Sequence, residues 1–376
     1  MDELHKPATA ETIDAALRHF DGALTVDREY AAAHAGRCLA LSAKYKHVHD
    51  AKHLIEAEEA CAAAVELNPN LAVVHNALGE LYCDTGRYGD AERSYEEAQS
   101  ANPNDAEALR GLADVYAAQQ RLTEAEAKYR QAIDQQPGNW ETFNALGGFL
   151  FQHGRYGEAS DAYREVVALD SSNVQGLSNL GTSLMMSGRF ADAEPAFERS
   201  IALDPQSYAY ANMGLLRYYQ GDSEAAVVAL ETAARLTPKD PVVLMNLGDA
   251  LIRNGATDAA RDAFGTAERL GEEALEVNKA DSDSLIDLAW IKAMLDKVSE
   301  AEDLIARARH IDPSDPYVYY THGLILAHLG RSDRAFDELK TAVEMGYSRA
   351  MLAAEPHLEA LRDEPRFVEI ARLADD

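Results

Sequence analysis

The group Leu78-Gly79, Tyr82, Ala91, Tyr95, Ala98 and Pro103 returns 34 residues later as Leu112-Ala113, Tyr116, Ala125, Tyr129, Ala132 and Pro137. Gly147 and Gly181 carry the same register onward from Gly79 and Ala113. Each period reads as two amphipathic helices. In the first clear copy they join at Gly86-Arg87, and the second stops at Asn102-Pro103, where the proline ring forbids continuation. A fixed period of this length marks stacked helix-turn-helix repeats, each burying its apolar face on its neighbours. The expected fold class is all-α, and one solenoid accounts for a length that would otherwise suggest several globular domains.

The recurring residues have separate packing duties. Gly or Ala at the first small position lets the two helices of a repeat approach closely. An aromatic about nine residues past the turn, as at Tyr95, Tyr129, Tyr163, Phe197 and Phe264, fills the groove this leaves. A second small residue, at Ala91, Ala125, Ala159, Ala193, Ala226, Ala260, Ala301 and Ala335, packs against the first helix.

The register predicts an N-terminal half-repeat over residues 1–28, with Ala16, Phe20 and Ala23 on one face. Nine repeats follow over 29–348, and a capping segment over 349–376. Cys38 stands at the Gly79 position 41 residues earlier, and the seven surplus residues are assigned to the inter-helix turn near 45–53. Seven residues are about two helical turns, so the packing faces stay aligned. A second surplus of seven, near 268–281, extends a second helix through Leu270, Ala274, Leu275 and Val277. The cap carries Leu358, Leu361, Phe367, Ile370 and Leu373 around Pro356 and Pro365. A half-repeat exposes the apolar face its missing partner should cover. It therefore suggests either a preceding segment or self-association.

A formal net charge of −29 repels nucleic-acid phosphate and anionic lipid, and favours a basic protein segment as partner. No apolar run is long enough to span a bilayer, and the first residues lack the apolar core of a secretory signal. Cys38, Cys61 and Cys83 fill helix-packing positions; a disulfide framework is not expected. The expected location is cytoplasmic, with the periplasm as the alternative if a membrane segment precedes residue 1.

These residues and their spacing resemble the tetratricopeptide repeat pattern over roughly residues 10–348. The resemblance implies a right-handed α-solenoid whose first helices line a concave groove, and a role in binding peptides or proteins. The opening Asp14-Ala-Ala-Leu-Arg-His-Phe-Asp-Gly-Ala-Leu and the ending Ala354-Glu-Pro-His-Leu-Glu-Ala-Leu are similar to repeat arrays of bacterial multidomain signalling proteins. There the array follows an effector domain. A regulatory or sensor module of a larger signalling enzyme or transcription regulator is thus the alternative to a free-standing scaffold.

The family's groove positions select the candidate site. Asn179, Asn212 and Asn246 occupy one such position in three successive repeats. They resemble the asparagine ladder with which the repeat region of O-linked N-acetylglucosamine transferase holds a peptide main chain. An amide offers donor and acceptor together, so it can pair with any peptide unit. Ala77, Gly111, Ala145, Asp287 and Thr321 interrupt the ladder elsewhere. Around it Met185, Met186, Tyr218, Tyr219, Met245, Trp290, Met294 and Tyr320 are expected to be exposed and to supply apolar contacts, alongside Ile252 and Leu324. In the earlier repeats Glu80, Asp84, Glu107, Asp114 and Glu141 form an acidic stretch with only Arg110 opposing, either a solvated face or a steering field for a basic segment. Arg217 and Arg253 do not complete a carboxylate clamp.

The cluster His47-Val-His49-Asp-Ala-Lys-His53 places His49 and His53 four apart, as on one helix face, in an exposed insertion that suits solvated imidazoles better than metal ligands. No phosphate loop, nucleophile elbow or dinucleotide fingerprint occurs in the sequence. The expectation is a non-enzymatic scaffold with no cofactor and no metal.

Overall fold

A computed structural model of the chain describes residues 10–372, so Leu373 of the expected cap lies outside the described residues. The described residues are all-helical, with no strand among them. The chain divides into two compact units, residues 1–146 and 147–376.

In the N-terminal unit the lone helix α1 (Ala10–Val26) is followed by three helix pairs. These are α2 (Ala31–Val48) with α3 (Ala51–Leu67), α4 (Ala72–Asp84) with α5 (Tyr88–Ala101), and α6 (Ala106–Ala118) with α7 (Leu122–Gln135). The unit boundary falls inside α8 (Trp140–Gln152), whose partner is α9 (Tyr156–Leu169). The C-terminal unit continues with α10 (Val174–Met186) and α11 (Phe190–Leu203), then α12 (Ser207–Tyr219) and α13 (Ser223–Leu236). After them come α14 (Pro241–Arg253) with α15 (Thr257–Val277), α16 (Ser282–Met294) with α17 (Val298–Ile311), and α18 (Pro316–His328) with α19 (Ser332–Glu344). A tail of α20 (Arg349–Ala354), a 3-10 helix (Pro356–Leu361) and α21 (Pro365–Ala371) ends the described chain.

Short-range chemistry starts and stops these helices. The carboxylate of Asp105 accepts from the Ala108 N–H at 3.1 Å, and that of Asp240 from Val242 and Val243 at 3.0 and 3.2 Å. Each side chain satisfies donors that the first helical turn leaves unpaired. At the turns inside a pair, Gly188 adopts φ 79°, and its N–H bonds to Met185 O while the Arg189 N–H bonds to Leu184 O. That pairing closes the first helix and redirects the chain into the second. Second helices end at Asn68, Asn102, Gln136, Asp204, Thr237 and Asp312, each directly before a proline, as the sequence pattern requires.

The core between paired helices follows the expected division of labour. All eight alanines of the second small position are fully buried, and Tyr95, Phe197 and Phe264 are almost fully so. A Cβ added at Gly248 would lie 2.6 Å from the Phe264 ring, and one at Gly181 would lie 2.5 Å from Phe197. The glycines are there because the aromatic rings occupy the space a side chain would need.

Three readings of the sequence are corrected in the first repeats. Cys38 and Cys61 are disulfide-bonded, with Cα atoms 5.3 Å apart, and only Cys83 is free. Their register explains the bond: Cys38 sits where Gly79 sits and Cys61 where Tyr95 sits, two positions that touch in the six pairs with glycine at the first of them. The bond also removes the cysteine argument for a reducing compartment. The first seven-residue surplus is not a loop, because it is absorbed as extra helix in α2 and α3, which run to 18 and 17 residues. His49 and His53 do not share a helix face: His49 caps α2 at φ 54°, while His53 lies in the first turn of α3, beside Glu56 at 3.4 Å. The second surplus falls within and after α15, which runs to 21 residues.

Candidate functional site

The first helices of the C-terminal unit, α10, α12, α14, α16 and α18, turn one face toward a common strip, and the chain's own tail lies in it. Ser348 Oγ donates to Met186 O at 2.5 Å, and Tyr156 Oη donates to Gly346 O at 3.2 Å. Further along, Glu355 is buried and accepts three phenolic hydroxyls: Tyr320 at 2.6 Å, Tyr219 at 3.1 Å and Tyr218 at 3.3 Å. Burial, and then the facing carboxylate, push these phenols far up, so they stay protonated donors. His357 Nε2 meets Asp249 at 3.2 Å, and Trp290 Nε1 donates to the same carboxylate at 3.1 Å. Burial pulls the His357 imidazole down, but the bond to Asp249 and the charges of Asp249 and Glu355 together outweigh it, and the net shift is upward. Arg253 pairs with Glu359 at 2.9 Å. Residues on five helices grip one segment of short helical turns, so the face is concave around it.

The tail has a second role at its end. Phe367 and Ile370 of α21 are buried, and Arg366 pairs with Asp333 and Asp337 on α19. That helix caps the last pair, whereas the preceding residues fill the concave face. The expectation of an exposed groove is therefore corrected: Met185, Met186, Tyr218, Trp290 and Tyr320 are all less than 10% exposed. Tail residues cover them.

Between tail and helices remains a cavity of about 580 Å³. Of the expected site residues, Met185, Met186, Tyr218, Tyr219, Met245, Asn246, Trp290 and Tyr320 line it, and Leu324 does too. Asn179 and Asn212 do not; Asn179 accepts a bond from Gln175 at 2.9 Å on its own helix. Met294 packs instead against the core of the α12–α15 region. The ladder thus reaches the cavity through Asn246 alone, and its next positions there are Asp287 and Thr321.

Sequence reasoning missed Asp249, Asp283, Tyr317, Tyr347, Glu355 and His357 as wall residues. Tyr347 stacks on Tyr320 with ring centroids 4.0 Å apart. Asp287 is the most perturbed acid in the wall: burial first, then Asp283, Asp240 and Asp281, push its carboxyl up to about 7. Asp287 had registered only as a break in the asparagine ladder, and Glu355 only as part of an ending motif.

In the N-terminal unit the acidic positions are largely engaged within the chain. Lys46 pairs with Asp84 at 2.9 Å and Glu80 at 3.5 Å, so Arg110 is not the only opposing cation. Arg110 pairs with Asp114 at 3.1 Å, and Tyr129 Oη donates to the same carboxylate at 2.5 Å. Burial raises the Glu107 carboxyl, which lies 3.5 Å from the Asn76 amide. Glu141 sits in the first turn of α8. Elsewhere, Glu268, Glu272 and Glu300 cluster with the spacing of metal ligands, but Lys292 Nζ sits among them at 2.5–2.7 Å and Lys297 pairs with Glu268, so ammonium groups occupy the position of an ion. Among the described residues no helix is long and apolar enough to cross a membrane.

Two family profiles match the chain: a tetratricopeptide repeat over residues 76–139, and the middle TPR-like domain of cilia and flagella-associated protein 70 over residues 109–243. No curated protein sequence matches. Among solved structures, YrrB, titled a TPR protein with an unusual peptide-binding site, is 22% identical, with TM-score 0.42, covering 49% of this chain and 95% of its own. PilW, a type IV pilus biogenesis factor, is 21% identical, with TM-score 0.47 and coverage of 57% and 96%. MamA is 24% identical, with TM-score 0.41 and coverage of 44% and 97%. The repeat register, the paired helices and the two matching profiles agree: the chain is a helical repeat array that carries tetratricopeptide-type repeats, matched by profile between residues 76 and 243.

Proposed function

We propose that this protein is a non-catalytic scaffold whose concave face in the C-terminal unit binds a segment of a partner protein, with Asn246, Met245 and the cavity-lining tyrosines among the contacts. One observation carries the reading. The same face already holds a polypeptide of short helical turns, residues 347–361, through hydroxyl, carboxylate, main-chain and ring contacts from five first helices, and still leaves a cavity beside it. A surface that satisfies one short polypeptide segment has the chemistry to satisfy another. Aromatic and methionine side chains supply the adaptable apolar contacts that interface centres favour. The acidic surroundings suit a basic segment.

The test is site-specific photo-crosslinking in the source cell. A benzophenone amino acid replaces Met245 in one strain and Val228, exposed on the second helix α13, in another. The reading expects one discrete adduct from position 245 and none from 228. An adduct only from 228 moves the binding surface to the outer helices and sinks it.

A further inference from the structure

The cavity beside the tail has an unbalanced charge. Its wall carries four carboxylates, Asp249, Asp283, Asp287 and Glu355, and no lysine or arginine. Two of them are satisfied within the chain, Asp249 by Trp290 and His357, and Glu355 by three tyrosines. Among the described residues, Asp287 and Asp283 have neither an ion pair nor a hydrogen-bond donor. The charged groups around Asp287 are all acidic: Asp240 at the start of α14, and Asp281 and Asp283 at the start of α16. Asp287 is thus held in a recessed site with nothing to neutralise it.

The rest of the wall is largely apolar, with aromatic rings prominent in it. Tyr317, Tyr320, Tyr347 and Trp290 present rings, whose faces attract a cation and whose area packs an aliphatic stem. Val242 and Tyr317, 40% and 43% exposed, stand with Asp283 at the mouth, so the cavity opens to solvent there. Carboxylates without cations, behind an aromatic wall, are complementary to one kind of group: a positive charge on an apolar stem.

We propose that this cavity receives a single lysine or arginine side chain from the bound partner segment, with Asp287 and Asp283 as its counter-ions and the tyrosines and Trp290 around its stem. The proposal rests on the reading that this face binds a polypeptide, and it names the partner's chemistry. It requires no displacement of the tail, because the tail's own residues Tyr347, Met351, Glu355 and His357 form part of the wall.

The experiment uses the full chain and a capped hexapeptide, Leu-Ala-Arg-Ala-Leu-Ala, followed through the indole N–H signals. The chain has two tryptophans, and only that of Trp290 lines the cavity. The arginine peptide is expected to shift the Trp290 signal, and the Trp140 signal stays still. The same peptide with neutral citrulline for arginine is expected to bind at least about tenfold more weakly. Asp287→Asn, which keeps shape and removes charge, should weaken the arginine peptide by a similar factor of about ten. Asp283→Asn, at an exposed position that tolerates change, should weaken it about threefold. Equal binding of the citrulline peptide, or undiminished binding by both variants, overturns the proposal. So does binding of free butylammonium with no competition from the peptide, which would make the cavity a small-amine site. If the position-245 adduct forms equally well in Asp287→Asn cells, the scaffold reading stands and this one falls. If the adduct never forms, the scaffold reading falls first.

Discussion

At the scale of single residues, Asp287 makes a pH prediction with a definite sign. Its folded-state value of about 7 lies above the ordinary 3.8, so the native chain holds this proton more tightly than the unfolded chain. The ionised carboxyl therefore costs stability, by an amount that grows from pH 4 to about 7 and is constant above. Asp287→Asn should raise the unfolding free energy at pH 8 on the order of 2–4 kcal/mol, and the gain should shrink by roughly half at pH 5.5. Urea melts of both proteins at the two pH values check this; a gain independent of pH refutes it. Two other residues are strained for a simpler reason. Gln120 and Asp296 hold φ 61° and 63° at turns where other repeats place glycine, and both are exposed. Gln120→Gly and Asp296→Gly should each stabilise the chain by about 0.5–1 kcal/mol in the same melts. The repeat register, combined with the groove positions that the family resemblance implies, assigns Met185, Tyr218, Met245 and Tyr320 to one face, and all four line the cavity. Their burial was illegible, because the covering groups lie far along the chain; Glu355 is 137 residues from Tyr218. No local pattern reports such a contact.

At the scale of elements, the first pair uses a covalent bond where the others use a glycine or alanine against a large side chain. The bond closes a segment with a sequence separation of 23, so its reduction should cost about 2–4 kcal/mol. Denaturation with and without dithiothreitol, followed in wild type and in a Cys38→Ala, Cys61→Ala variant, measures it; identical curves for reduced and oxidised wild type refute it. This bond was readable in principle. Aligning Cys38 with Gly79 and Cys61 with Tyr95 puts the two thiols at touching positions, a step that counting cysteines does not take. The tail gives a second element-scale prediction. Glu355 is the acceptor for three hydroxyls, and its loss leaves them facing a buried gap. Glu355→Ala should speed amide exchange across residues 347–361 by about 10–100-fold, while α12 and α13 keep their protection. An unchanged tail would mean that Ser348 and Tyr347 suffice to hold it.

At the scale of the molecule, the charge of −29 sets how a partner arrives. Association with a basic segment should slow several-fold between 50 and 300 mM salt, with a much smaller change in dissociation rate, as stopped-flow mixing would record. The fold was legible at this scale because each repeat states its own structure. The division into two compact units was not, since the register runs through α8 without a break. The tail resting on the concave face has one further consequence. Being tethered, it is present at its site at an effective concentration on the order of millimolar, whatever the amount of protein in the cell. A rival segment laid along the same strip must overcome that standing competitor, and its apparent affinity falls by the fraction of time the strip is vacant. Only sequences with a large intrinsic preference pass such a threshold. A side chain entering the remaining cavity would face no such contest, so on the proposed reading the tail would act as a sieve that admits the anchor and turns away the bulk.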